Sequence, residues 1–343
     1  MNNKQIEIMS LSYEDILGYM SMWGEPDYRA KQLWDWLHSR QAFSFAEMTN
    51  LSKSLRDKLD TTFTLSSPIL ASEELSSDGT QKMLLSYPDG VSVECVGMPY
   101  KDRYTACLST QAGCSLGCAF CATGNGGFTR NLTADEIVKQ AKYVERASGV
   151  RLSSVVLMGQ GEPFLNLENT LAAMKVLNDP SALNIGARHI TVSTSGILPG
   201  IARLARIKEQ FGLAISLHSA VQETRNMLMP GVKKYALPHL YEALQAYTEA
   251  TKRRPTYEYL MINGVNDTNA ELDALIDFCA NTLCHVNLIP LNPVSHSGFA
   301  PSKGDTIRRF QKALKASGVE TTVRRSRGKD IDAACGQLHQ RSC

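Results

Sequence analysis

Three cysteines fall in a CxxxCxxC run: Cys114, Cys118 and Cys121. Thiols this close can converge on one metal centre. A structural zinc site is tetrahedral and wants a fourth Cys or His nearby, but the next histidine is His189. Thiolates also hold iron–sulfur clusters, normally four to a [4Fe–4S] unit. A set of three leaves one iron open to a further ligand. The competing reading is three buried thiols or a redox pair. Other residues with chemical reach follow. Gly161 lets a backbone approach a ligand closely, and Glu162 offers a carboxylate. Ser193, Ser216 and Asn292 offer hydrogen bonds, while His218 reads equally as a ligand contact or a structural histidine. Cys335 sits in a small-residue, Gly-adjacent segment, where a thiol can be exposed and reactive.

Positioning such groups requires a scaffold. Strands are expected at 105–110, 154–158, 189–193, 213–217, 257–262 and 286–290. They alternate with helices at 133–148, 166–178, 199–209, 238–249, 269–281 and 306–317, the first opened by a capping box from Thr133 to Glu136. Repeated βα units imply a parallel sheet, and six of them predict a partial (βα)6 barrel. The cysteine run, the GQGEP run at 159–163, Ser193, Ser216 and Asn292 all fall at or just after strand ends. Active sites of full barrels collect at that face.

Upstream, residues 82–87 and 91–98 alternate as strands around a Pro-Asp-Gly turn. Alternation puts Glu94 on the face opposite Val93 and Cys95, where an acid in a strand is ordinarily solvent-facing. A helical unit is expected before residue 65, with helices starting near Ser12 and Pro26 and a third pattern over 45–59. Its basic residues, among them Arg29, Arg40 and Arg56, read equally as phosphate contacts or as solvated helix faces. The segment from Arg324 to Lys329 is basic and Gly-containing, which suits a mobile loop touching RNA phosphate. The expected units are therefore 1–65 (helical, RNA-binding), 66–104 (β-rich, carrying Glu94), 105–320 (barrel) and 321–343 (a loop carrying Cys335).

With 343 residues, 43% of them hydrophobic and 20% charged, the chain is long enough for a sizeable core. A net charge of +2 excludes a massively basic protein but not a local basic face. No apolar run approaches the ~20 residues of a membrane span, and the first ten residues lack a signal peptide's apolar core. A cytoplasmic chain, off the membrane, is expected. Nine cysteines, three of them clustered, favour metal binding or catalysis over a disulfide framework.

At these residues the sequence resembles the RlmN/Cfr family of radical S-adenosylmethionine (SAM) RNA methyltransferases. The likeness runs from about Tyr28 to Leu338. Its strongest segments are CLSTQAGC at 107–114, CAFC at 118–121, GEP at 161–163, STSG at 193–196, SLH at 216–218, NLIP at 287–290 and DIDAACGQL at 330–338. The resemblance implies a [4Fe–4S] cluster on Cys114, Cys118 and Cys121. It implies SAM held by Gly161, Glu162, Ser193, Ser216, Leu217, His218 and Asn292. Cys335 would be methylated by one SAM, and a radical from a second would activate that methyl group for addition to an adenine ring. Cys107 would then attack Cys335, forming a transient disulfide and releasing methylated RNA, with Glu94 removing a proton. Implied partners are 23S rRNA, possible tRNA substrates and an external electron donor, for a monomeric enzyme. Pro163 and the RRSRG run at 324–328 look more like the RlmN branch, which methylates C2, than the Cfr branch, which methylates C8. A noncatalytic iron–sulfur RNA-binding protein would not need Glu94, Cys107 and Cys335 together. One departure is Gln160, where the family often has Met; a buried amide there needs partners.

Overall fold

The computed structural model of the chain describes residues 5–38, 40, 42–65, 67–294 and 297–338. The first unit contains β1 (Ile6–Glu7), α1 (Tyr13–Met22), α2 (Tyr28–His38), α3 (Lys53–Thr62) and β2 (Phe63–Thr64). Ser12 and Asp15 close a capping box on α1, and Ser52 caps α3. That second cap splits the pattern expected over 45–59 into a short 3-10 turn, Phe45–Glu47, and a separate helix. β1 and β2 pair in parallel, and the helices bury a core of their own around Met20, Leu33, Leu37, Leu55 and Leu59.

An antiparallel ribbon follows: β3 (Ile69–Leu75), β4 (Gln81–Ser86) and β5 (Ser92–Pro99), which pairs with β6 (Tyr104–Cys107). The cysteine run is framed by a hairpin of β7 (Gln111–Gly113) and β8 (Phe128–Asn131), with the one-turn α4 (Ala122–Asn125) between them. The alternating series is then α5 (Ala134–Ser148), β9 (Ser154–Leu157), α6 (Leu167–Asn178), β10 (Ile190–Thr194), α7 (Leu198–Leu204) and β11 (Gly212–Ser216). It continues through α8 (Gln222–Leu228), α9 (Leu237–Thr251), β12 (Thr256–Met261), α10 (Asn269–Cys279), β13 (His285–Pro290), α11 (Gly304–Ala316) and β14 (Glu320–Val323).

All strands from β3 to β14 except β7 and β8 form one open sheet, in the order β14-β13-β12-β11-β10-β9-β6-β5-β4-β3. From β6 to β14 every neighbour is parallel. The expected partial barrel is present, with a seventh parallel strand, β14, beside β13, where the sequence pattern predicts the boundary of a loop. The boundaries drawn at 104/105 and 320/321 fall inside β6 and β14, because the hydrogen-bond ladder runs on through both. Residues 1–4 and 339–343 of the expected outer units lie outside the described residues.

The two faces of β5 explain where the site forms. Val93 and Cys95 point outward into the core under α5, alongside Ile137, Ala141 and Val144. Val96 and Met98 point into the barrel and pack with Cys107, Ala333 and Leu338. Glu94 shares that inner face by strand alternation and is buried. The ordinary solvent-facing reading of Glu94 is therefore corrected: both faces of this strand are covered, one by a helix and one by the C-terminal segment.

Candidate active site

The β7–β8 hairpin fixes both ends of the cysteine loop. Cys114 N–H donates to Gly127 C=O (2.7 Å), and Ala119 N–H donates to Leu228 C=O on α8 (2.9 Å). Burial raises the pKa of all three thiols; the charge of neighbouring cysteines of the run adds to the rise at Cys114, which is pushed up to about 12, and at Cys118, and that of Cys335 adds to it at Cys121. Three thiolates here would lack a matching protein charge: the Arg225 guanidinium favours Cys118, while Cys114 and Cys121 have only hydrogen bonds, from Leu116 and from Thr123 and Gly124, in their favour. Soft sulfur donors whose charge the protein leaves uncompensated suit a cationic iron–sulfur core. Among the described residues, no three His, Cys, Asp or Glu side chains are grouped to hold a single metal ion.

Cys121 lines a cavity of about 150 Å³ together with Gly161, Glu162, Ser193, Ser216, His218 and Cys335. Gly161 has φ +96°, and a Cβ there would lie 2.5 Å from the side chain of Gln111. Gln111 in turn accepts the Glu162 N–H (2.8 Å). The Glu162 carboxylate accepts from Phe164 N–H (3.1 Å) and Ser195 N–H (2.7 Å), tying the loop after β9 to the loop after β10. Burial raises its pKa, and those backbone donors pull it back.

His218 has a left-handed backbone, φ +57°, which non-glycine residues adopt mainly where surroundings hold them. Its Nδ1 accepts from Leu260 N–H (3.1 Å), so the neutral ring carries its proton on Nε2. Burial pushes its pKa down to about 3. The ring meets Phe120 edge-on at 4.8 Å, packing it against the cysteine loop.

Two expected cofactor contacts fall elsewhere. The Leu217 side chain is fully buried in the core and does not line this cavity; only its backbone serves the site, accepting from Arg225 Nη1 (2.6 Å). Asn292 lines a neighbouring cavity instead and donates from Nδ2 to Cys335 C=O (3.3 Å). Leu217 turns inward because it follows the last residue of β11, where the strand's alternation still applies. Asn292 bonds the segment carrying Cys335 rather than the cysteine loop.

That neighbouring cavity is lined by Cys107, Cys335, Met98, Met158 and Arg324. Cys335 thus faces both chambers. Burial first, and Cys335 second, push the Cys107 pKa up to about 12, while Arg324 lowers it. The segment carrying Cys335 is strapped across the barrel. Asp330 accepts from Ser76 Oγ (2.6 Å) and Ser77 N–H (3.0 Å), and Ala122 N–H donates to Gly336 C=O (2.7 Å). Lys82 Nζ donates to Ile331 C=O (2.6 Å) and stands 3.6 Å from the Glu94 carboxylate. Glu94 does not line either chamber. Its backbone is held by Ser109 Oγ, which donates to its C=O (2.6 Å), and by Gln160 Oε1, which accepts its N–H (3.2 Å). The amide at 160 therefore has its partner.

The mobile phosphate-binding loop expected at 324–329 is corrected in part. Arg324 N–H donates to Leu288 C=O (2.8 Å), extending the β13–β14 pairing, and its side chain enters the barrel beside Cys335, Glu258 and Cys107, whose charges raise its pKa. Arg327 stacks on Tyr100 at 4.6 Å and bonds Asp78, while Arg325 is exposed. Nothing in the sequence singles out Arg225 or Glu258, and Arg324 is expected there on an RNA-facing loop rather than inside the barrel. Arg225 is 1% exposed and donates to the carbonyls of Ser195, Ser216 and Leu217, holding two site loops together. It lies on α8, which gave no apolar pattern to read.

A half-open parallel barrel with a three-cysteine loop after its first parallel strand is the architecture of a radical SAM enzyme. Comparison with known proteins agrees. The radical SAM superfamily profile matches residues 108–279, and the profile of the ribosomal RNA large subunit methyltransferase N-terminal domain matches 6–65. The chain is 46% identical to a probable dual-specificity RNA methyltransferase RlmN of Bacillus velezensis, over 98% of this chain and 94% of that one. It is 45% identical to the corresponding protein of Bacillus subtilis, with the same coverage. A crystal structure of a radical SAM methyltransferase from Sphaerobacter thermophilus superposes with a TM-score of 0.93 at 43% identity, covering 97% of this chain and 99% of that chain. The chain belongs to the RlmN family of radical SAM RNA methyltransferases. Its cofactors are a [4Fe–4S] cluster and SAM.

Proposed function

We propose that the chain methylates C2 of an adenine in 23S rRNA and in tRNA, through a methyl group carried on Cys335. The supporting observation is that Cys335 lines both the chamber of Cys121 and Glu162 and the chamber of Cys107. An adenine ring carbon is too weak a nucleophile to take a methyl group from SAM directly. The [4Fe–4S] cluster on Cys114, Cys118 and Cys121, with SAM against Gly161, Glu162, Ser193, Ser216 and His218, supplies methyl groups and a carbon radical when bound.

The protein residues do the rest. Cys335 Sγ holds the methyl group between the chambers and becomes covalently linked to the RNA, dividing one hard step into easier ones. The resemblance gives Glu94 the proton from the ring carbon; its carboxylate stands behind the chamber wall, 3.6 Å from Lys82 Nζ, so the proton reaches it only if that wall opens to the bound base. Cys107 Sγ, having lost its proton, attacks Cys335 Sγ: the disulfide forms as the S–CH2 bond to the RNA breaks, and the released carbon takes up a proton to become the methyl group of the freed RNA. An external electron donor then restores the thiols. The first helical unit contacts RNA in this reading: exposed Tyr28 lies under the Arg29 guanidinium at 5.0 Å, and Arg40 lies over Trp36 at 4.9 Å. Such cation–aromatic pairs suit phosphate and base. The setting is cytoplasmic, and the working unit is one chain.

The test separates the two cysteines. Cys335→Ala should make no methylated RNA and trap no adduct. Cys107→Ala should still methylate Cys335 and then accumulate a protein–RNA crosslink through it. Labelled RNA on a denaturing gel, followed by peptide mass spectrometry, reads both outcomes. Multiple-turnover methylation by Cys335→Ala would refute the mechanism. Nucleoside mass spectrometry of the product distinguishes C2 from C8.

A further inference from the structure

A third and larger cavity, about 640 Å³, fills the barrel below Cys335 and shares Met98, Met158 and Arg324 with the chamber of Cys107. Its size falls in the range of roughly 300–1,000 Å³ typical of ligand pockets. Arg103, Arg188 and Arg325 line it and are exposed, a placement suited to the phosphates of a strand entering from that side. Inside stands one carboxylate the mechanism does not use. Glu258, in the middle of β12, is buried, and its side chain lines both this cavity and the one shared with Cys121.

Its orientation is fixed. Thr322 Oγ1 donates to Asn287 Oδ1 (3.0 Å), so the Asn287 amide turns its NH₂ toward Glu258 and donates to Oε2 (2.9 Å). His285 Nε2 lies 2.9 Å from Thr322 Oγ1 and holds that hydroxyl in place. No hydrogen bond from the described residues reaches Oε1, and no Lys, Arg or His nitrogen among them pairs with this carboxylate within 4.0 Å. Oε1 is therefore open to the cavities that Glu258 lines, where a ligand can bring the donor. Arg324 supports the charged form: burial pushes Glu258 up, and Arg324 and Asn287 draw it back.

We infer that Glu258 Oε1 reads the exocyclic amino group of the target adenine, making this acid a specificity-determining residue. Adenine presents an amino donor at position 6, whereas guanine presents an oxygen there, and two facing acceptors repel. Enzymes that act on an unstacked base commonly read it along its Watson–Crick edge. This inference rests on the adenine reading above.

The experiment uses the reconstituted enzyme and an RNA substrate whose target adenosine is replaced by purine riboside. That base lacks the amino group but keeps the C2–H. For the wild-type chain, kcat/KM should fall about 10- to 100-fold, the usual cost of leaving a buried charged acceptor unmet. In Glu258→Met, adenosine and purine riboside should become nearly equivalent. Glu258→Gln keeps an acceptor for Asn287 and adds a donor. It should gain relative activity on inosine, which carries an oxygen at position 6, and it serves if the Met variant does not fold. SAM affinity, measured without RNA, should be unchanged in both. Wild-type base selectivity in both variants would overturn the inference, as would weakened SAM binding with selectivity intact, which would assign the acid to the cofactor. Neither result would touch the methyltransferase reading. Failure of the wild-type chain to methylate any adenine would remove that reading, and this inference with it.

Discussion

In the proposed mechanism Cys107 attacks as a thiolate, yet the fold keeps it a neutral thiol. Burial first and the adjacent Cys335 thiol second push it up to about 12, against the opposing pull of Arg324; in the crosslink, where Cys335 is a thioether, burial keeps it raised. Below that value the reactive fraction grows with pH. Decay of the Cys335–RNA crosslink in the wild-type chain should therefore speed up about tenfold per pH unit from 7 to 9, as followed by rapid quench and gel. A flat profile would mean that a neighbouring base takes the proton in the same step. The neighbours that set this thiol's character were not equally legible. The cysteines and Glu162 announce themselves within short runs. Arg324 looks in sequence like one more arginine in a basic stretch. Only the pairing of its N–H with Leu288 turns it into the barrel. Glu258 likewise reads as a polar residue in a strand, because its burial depends on which residues face it from β11 and β13.

Among the elements, α5 carries the heaviest electrostatic load. It begins beside the cysteine hairpin and packs its outer face on the first helical unit through Tyr143 against Phe43 at 5.1 Å. Lys139 pairs with Asp135 (2.7 Å) and Glu7 (3.5 Å), and Lys142, 3% exposed, is buried beside them. Burial lowers Lys142 to about 7, with Asp135 opposing that shift. An unfolded lysine titrates near 10.4. Between those values the unfolded chain binds a proton that the folded chain does not. Stability should therefore rise with pH from about 7 to 10, by at most about 1.4 kcal/mol per unit, and level off above. Lys142→Met should be more stable than wild type at pH 7 and lose much of that slope in urea titrations. An unchanged slope would place the proton elsewhere.

Elements with a buried face were readable, and those without were not. The capping box on α5 and the six alternating strands follow from local pattern. β3 is exposed at every residue, so it has no apolar alternation to find. β14 is a short edge strand inside a stretch dominated by charge.

Across the whole molecule, the strap joins parts of the chain more than two hundred residues apart. Ala122 N–H and Thr123 Oγ1, immediately after Cys121, donate to the carbonyls of Gly336 and Leu338. Coupling of this kind is reciprocal: whatever orders the loop favours the docked strap by the same free energy with which the docked strap favours the loop. The segment carrying Cys335 then behaves as a latch that engages fully only on a loaded chassis. Iron content should be readable at the far end of the chain. On anaerobic reconstitution, residues 329–338 should gain protection from protease, and Cys335 should be alkylated more slowly. Equal cleavage with and without iron would mean that Ser76 and Asp78 hold the latch without help from the loop.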